Sequence, residues 1–239
     1  MIDEFGNWGS EEESARLDNV YIQLSEHPDA KIQFLISRGE QESLGSPHRF
    51  YAKVEAYLNY RGADLRRIIP TFCKAKPERA IQIWLVTSEI VKECEPDDIR
   101  ITSTTKFDTG YYAENPFGSC CVIDEFGPIQ ADASLKAFTE LLKEYPDSKA
   151  YVFVYGGTRV FSSDSKGRER TIRTTDKKRK IDDYVRTAKK LLTTSGIDGS
   201  RITIKNSGYR DTVGGVEMWI VPEGGDIPKP TPNYFPNGQ

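Results

Sequence analysis

The chain has 239 residues, with 33 Lys and Arg against 36 Asp and Glu and a formal net charge of -3. That balance gives no global attraction to nucleic acid or to an anionic membrane. Mean hydropathy is -0.56, and no apolar run approaches the ~20 residues that span a bilayer, which argues against a transmembrane helix. The opening Ile2-Asp3-Glu4-Phe5-Gly6 has no apolar signal-peptide core. The opening reads as a native cytosolic start or as a mature N-terminus.

In chain order, the first segment ends at Glu4-Phe5-Gly6 and leads into an amphipathic helix. Its apolar stripe is Leu17, Val20, Tyr21 and Leu24, and it exits at His27-Pro28. A strand over Ile32 to Ile36 follows, then a second helix carrying Phe50, Val54, Tyr57 and Leu58. Gly62 sits where a left-handed helix cap is expected. Two strands close the unit, near 67–72 and 80–87.

The same pattern then returns. Ile2-Asp3-Glu4-Phe5-Gly6 recurs unchanged as Ile123-Asp124-Glu125-Phe126-Gly127. His27-Pro28-Asp29 is answered by Tyr145-Pro146-Asp147, Gly62-Ala63-Asp64 by Gly196-Ile197-Asp198, and Ile83-Trp84-Leu85-Val86 by Met218-Trp219-Ile220-Val221. Four blocks in one order mark an internal repeat. The second copy carries a helical stripe at Leu135, Phe138, Leu141 and Leu142, a strand over 150–155, and a second helix with Ile181, Tyr184, Ala188, Leu191 and Leu192. Tyr151-Val152-Phe153-Val154-Tyr155 reads as a buried central strand.

The expected fold is α+β: two tandem βαβαββ modules, each a small mixed sheet with two helices on one face. The boundaries are 1–89 for the first module and 90–119 for a connecting segment. The second module spans 120–224 with a basic insertion at 158–180, and 225–239 is a proline-rich tail expected to be extended and mobile. The connecting segment is too apolar for a free linker and reads as an added strand or loop. Trp84 and Trp219 read as sheet-face packing, with a ligand-stacking surface as the alternative.

Cys73, Cys94, Cys120 and Cys121 form no CxxC pair. With only His27 and His48 beside them, they support no zinc site. Four cysteines around two small modules read as disulfide candidates, which would imply a periplasmic or extracellular location. Bonding between the neighbours Cys120 and Cys121 is disfavoured by geometry; the other reading is four reduced thiols.

The element order resembles the OmpA-like domain, the C-terminal peptidoglycan-associated module of outer-membrane protein A. The resemblance rests also on Tyr57-Leu58-Asn59-Tyr60-Arg61-Gly62, on Gly196-Ile197-Asp198-Gly199-Ser200-Arg201-Ile202 and on Val216-Glu217-Met218-Trp219-Ile220. It covers both copies. It implies an aspartate after the second strand and an arginine on the second helix, which together grip the diaminopimelate group of peptidoglycan. In copy two Arg159 stands where that aspartate would be. In copy one the strand exit reads Ser37-Arg38-Gly39-Glu40. Arg49 lies near the implied arginine position, whereas Asp183 and Arg186 are out of register. The pair is not reproduced, so Arg38, Arg49, Arg159 and Arg186 stand as candidate ligand contacts of altered chemistry.

Gly156-Gly157-Thr158-Arg159 could cradle an anion, or could simply be a glycine turn that needs positive φ. It lacks the Lys-Ser/Thr end of a P-loop. The insertion holds Arg168, Arg170, Arg173, Lys177, Lys178, Arg179 and Lys180, a patch for an acidic partner or else a solvated loop. No aromatic follows Phe161 within it, so base stacking is not indicated. A His48–Asp64–serine set has no supporting spacing. Asp97-Asp98 and Asp182-Asp183 read as solvated, and Asp3-Glu4 and Asp124-Glu125 as part of an opening strand.

The sequence therefore points to a non-catalytic protein of a bacterial cell envelope, acting in binding or scaffolding and needing no cofactor. The alternatives are a peptidoglycan anchor, a self-assembling structural protein that pairs through open sheet edges, and an enzyme of unknown type. Partners would be peptidoglycan, another envelope protein or a second copy.

Overall fold

A computed structural model describes residues 1–6, 10–87, 91–111, 127–163, 169–173, 178–211 and 214–233. Within these, side chains at 10–11, 110–111, 127–133, 159–163, 169–173 and 180 are not described. Two compact units divide near Ile99 and Arg100.

Module 1 runs β1 (Asp3–Phe5), α1 (Ser10–Glu26), β2 (Lys31–Gly39), α2 (Ser46–Tyr60), β3 (Ile68–Lys76) and β4 (Ala80–Val86). Its sheet order is β1-β4-β2-β3. β2 and β3 are parallel, and the other pairs are antiparallel. Alternation along β2 sends Ile32, Phe34 and Ile36 inward, where they meet Leu17, Val20 and Leu24 of α1 and Val54 and Leu58 of α2. Both helices therefore cover one face, as the 3.6-residue stripes require.

Module 2 repeats the plan with β5 (Thr105–Tyr111), α3 (Gly127–Glu144), β6 (Lys149–Gly157), α4 (Lys178–Thr194), β9 (Ile202–Arg210) and β10 (Gly215–Val221). The order β5-β10-β6-β9 matches that of module 1 position for position. The chain is thus an α+β fold of two similar modules, each a mixed sheet with a helix pair.

The opening motif does not behave as its repetition suggests. Asp3–Phe5 forms the first edge strand, but its counterpart against β10 is Thr105–Tyr111, drawn from the connecting segment. Residues 123–126 lie outside the described residues, and Gly127 already begins α3. The true equivalents follow from register: Asp3 faces Ile83 and Asp108 faces Met218. Each aspartate accepts its neighbour's backbone amide, Glu4 N or Thr109 N, at 2.8 Å. Each also ties the edge strand to the first helix, Asp3 through Arg16 and Asp108 through the Ser134 hydroxyl at 2.8 Å.

The basic insertion is not a loop throughout. β7 (Arg159–Ser163) and β8 (Glu169–Arg173) form an antiparallel hairpin with Arg159 opposite Arg173. Gly156 and Gly157 belong to β6, and neither has positive φ. The need at Gly156 is space: an added Cβ would lie 2.6 Å from Ile181 and 2.7 Å from Tyr209. Positive φ occurs at Gly62 (82°), where the sequence placed a left-handed cap, and at its counterpart Gly196 (88°) after the second helix of the other module.

One arginine joins the elements of each module. Arg67, in the 3-10 turn Leu65–Arg67, donates to the carbonyls of Ala30 (2.8 Å), Leu24 (3.0 Å) and His27 (2.5 Å). Arg201 does the same to Ser148 (2.9 Å), Leu142 (2.7 Å) and Tyr145 (2.8 Å). These carbonyls sit at the end of the first helix, where intrahelical partners run out. A cation there also opposes the helix dipole. Arg201→Ala removes three charge-assisted bonds and should cost about 2–3 kcal/mol, with Arg67→Ala similar. Lys should recover less than half, lacking the planar fork. Urea unfolding checks this, and a loss under about 0.5 kcal/mol in both variants would show the clamp to be incidental.

Candidate functional site

The face of each sheet away from its helices differs between the modules. It is built from β2, β3 and β4 in module 1 and from β6, β9 and β10 in module 2. Register makes Gln33, Leu35, Ser37, Gln82 and Trp84 the counterparts of Tyr151, Phe153, Tyr155, Glu217 and Trp219.

In module 1 the chain after β4 returns over this face. The Gln33 side chain bonds the Lys92 backbone twice, Nε2 to the carbonyl (2.9 Å) and Oε1 from the amide (2.8 Å). Lys74 N donates to the Glu95 carbonyl at 2.7 Å. The Lys92 ammonium lies 4.7 Å from the centre of the Trp84 ring. Cys73 and Cys94 close a disulfide across this contact. Cys120 and Cys121 lie outside the described residues. Beside the returning segment lies a groove of about 210 Å³ lined by Leu35, Ser37, Lys74, Lys76, Gln82 and Glu95 among others.

Module 2 fills the corresponding space with large side chains. Glu217, 3% exposed, accepts from Lys106 Nζ (2.6 Å), Arg210 Nη2 (2.9 Å) and the Tyr155 hydroxyl (2.9 Å). Arg210 also stacks over the Tyr155 ring at 3.7 Å. Burial alone would raise the Glu217 carboxyl. The hydrogen bonds from Lys106 and Arg210 outweigh it and hold the group below its usual range. Tyr151, Phe153, Tyr155 and Val221 form a small core here with Trp219 packed on it. Both tryptophans thus pack on sheet faces. The Trp219 indole N–H is buried and has no acceptor among the described residues.

The tail is not free. Thr231 N donates to the Tyr155 hydroxyl at 2.9 Å, Arg210 donates to the Thr231 hydroxyl at 2.6 Å, and Asn233 N donates to the Tyr209 carbonyl at 3.1 Å. Composition alone suggested mobility through residue 239; polar contacts from distant strands override it through Asn233.

The candidate arginines do not converge. Arg38 donates to Asp97 at 2.9 Å, with both side chains about 15% exposed. Arg49 lies half-buried in the first turn of α2. Arg186 is exposed and pairs with Asp183. Arg159 begins β7, and its side chain is not described. Next to Arg38, Glu42 accepts from Arg79 (3.1 and 2.5 Å), Gly39 N (3.0 Å) and Ser46 (3.1 Å). Burial would raise its carboxyl, and these donors bring it below the usual range. The first module's strand exit is therefore neutralised internally. Of the basic patch, Lys178 and Arg179 are exposed on α4 and Lys180 follows in the same turn. Arg170 and Arg173 lie on β8, and Arg168 and Lys177 fall outside the described residues. Asp64 is occupied capping the 3-10 turn through Arg66 N, so no His48–Asp64 pair forms. Sequence reasoning missed Lys106, Tyr155, Arg210 and Glu217 as a set; the signal was the replacement of Gln82 and Lys76 by Glu217 and Arg210 at repeat-equivalent positions.

No protein-family model matches the chain, and no curated protein matches it.

His48 stacks on Phe72 with ring centroids 4.1 Å apart, and burial holds it down to about 4. The unfolded imidazole titrates near 6.5, so the unfolded state binds the extra proton first. The stability contribution is complete above ~6.5 and falls as pH drops toward about 4. Stability measured across that window should lose part of its slope, approaching one proton, in His48→Phe. An unchanged slope would exclude His48 as its source. The disulfide closes a loop of sequence separation 21, for which chain entropy gives on the order of 3 kcal/mol. The double variant C73S/C94S should lose about that in urea unfolding. A change under about 1 kcal/mol would mean that the returning segment holds itself.

Proposed function

We propose that this chain is a non-catalytic binding or scaffolding protein of a bacterial cell envelope, built from two degenerate OmpA-like modules. The repeated βαβαββ order supports the family reading. The Cys73–Cys94 bond supports an oxidising compartment, since such links persist outside the reducing cytosol. Among the described residues no helix is long and apolar enough to cross a membrane.

The observation that carries the binding surface is a contrast in charge. At the first module's strand exit Arg38 and Glu42 are each matched by an internal partner. α4 instead holds six cations against Asp182 and Asp183, and Lys178, Arg179, Arg186, Lys189 and Lys190 are exposed. This helix surface, which follows the β7–β8 hairpin in the chain, suits an anionic envelope partner. The chain's overall charge of -3 makes the bias local.

Co-sedimentation with purified peptidoglycan sacculi, at low and high salt, tests the reading. Retention should fall several-fold at high salt and in K189E/K190E, because screening and charge reversal act on the same attraction. Retention that ignores salt and K189E/K190E but is lost in Arg49→Ala would move the function to a carboxylate-gripping anchor in module 1. No retention at low salt would sink the envelope-binding reading.

A further inference from the structure

A row of polar contacts holds the segment after β10 against module 2. Thr104 Oγ1 donates to the Asp226 carbonyl at 2.5 Å. Tyr155, Arg210 and the backbone of Tyr209 take Thr231 and Asn233. Pro232 lies beside Gly208, where an added Cβ would meet its ring at 3.4 Å, an ordinary contact. The bound stretch, Ile227-Pro228-Lys229-Pro230-Thr231-Pro232-Asn233, alternates proline and so favours an extended polyproline II strand. Such a strand makes no hydrogen bonds within itself, and Thr231 N and Asn233 N find acceptors on the module. Aromatic rings beside a few polar anchors are the usual receptor for it.

Two further observations show how this contact can be exchanged. The tail is joined to β10 through Pro222-Glu223-Gly224-Gly225, with Gly224 at φ 72°: a tight reversal that folds the tail back on its own module. The same face also keeps the Trp219 indole N–H buried without an acceptor among the described residues.

We propose that the outer face of module 2 is a binding site for an extended, proline-rich peptide, filled in cis by the chain's own tail and in trans by the tail of a second copy. The contacts are the same in both cases, which is the condition for segment exchange. In cis the effective concentration of the tail is high, so exchange grows as the reversal at Gly224-Gly225 is impaired. The proposal is independent of the basic surface on α4: the groups the tail presents are backbone, hydroxyl and amide, so its binding should change little with salt, whereas sacculus retention should fall.

The test uses the full chain. Deleting Gly224 and Gly225 shortens the reversal and should convert the protein to a dimer by light scattering. Thr231→Pro in that background removes the N–H given to Tyr155 and the hydroxyl bonded by Arg210, and should return it to monomer. A synthetic peptide of residues 224–239 should dissociate the dimer, and a scrambled peptide should not. A deletion variant that stays monomeric overturns the proposal, as does a dimer indifferent to Thr231→Pro and to the peptide. Should the deletion variant not fold, the labelled peptide is titrated onto the full-length Thr231→Pro chain, whose own tail holds the site more weakly; absence of binding there overturns the proposal. Saturable binding, weakened about tenfold by a Thr231→Pro peptide, supports the site; equal binding of the scrambled peptide overturns it.

Discussion

The guanidinium at the entrance to the third strand is the constraint from which each module is organised. A parallel β2–β3 pair needs a crossover, and the crossover helix must end where β3 can start beside β2. Arg67 and Arg201 fix that point by gripping three carbonyls at the close of the first helix and the start of the second strand. A planar fork with several donors can hold three acceptors at once; an ammonium holds them as a point charge. With that junction set, the parallel register follows from Ile32 opposite Ile68 and Ala150 opposite Ile202, and the inward residues of β2 and β6 come to face both helices.

Helices and central strands were legible because their signals are local. Leu17, Val20 and Leu24, and likewise Leu135, Phe138 and Leu142, are buried where the stripe placed them. The second edge strand was half legible: the connecting segment read as an added strand or loop, but not as the counterpart of β1. Thr105–Tyr111 has no strong alternation, and the verbatim return of Ile-Asp-Glu-Phe-Gly pointed 18 residues downstream of Thr105, to Ile123. What the modules share at the edge is a role, an aspartate tied to the first helix. That role is filled by Asp3 with Arg16 and by Asp108 with Ser134, which identity of sequence cannot reveal. The tail and the segment over module 1 were illegible for a related reason. The tail has a linker's composition, the connecting segment is apolar enough to mark packing but not its place, and their anchors, Gln33 and Tyr155, lie 59 and 76 residues away.

The candidate site was the least legible part, because the two outer faces differ while the sheet topologies are alike. Where module 2 has Tyr155, Arg210 and Glu217, module 1 has Ser37, Lys76 and Gln82. One set makes a buried ion cluster sealed by a tail; the other leaves a groove beside a disulfide-linked segment. A buried carboxylate with two cations and a phenol is costly unless every lone pair is met, and in Glu217 those partners come from three strands. That arrangement fixes the geometry of a face rather than freeing an acid for proton transfer. The arginines singled out for ligand contact follow the same logic: Arg38 and Arg186 are spent on Asp97 and Asp183, which leaves Lys178, Arg179, Lys189 and Lys190 of α4 as the exposed cations.

Native-state amide hydrogen exchange tests most directly whether the chain is one folding unit used twice. Two separate sets of slow amides are expected, centred on residues 32–36 and 150–154, with corresponding positions protected alike and the edge strands β1 and β5 faster in both. Strong protection confined to one half, or central strands that exchange as fast as the edges, would contradict the duplication and the functional reading built on it.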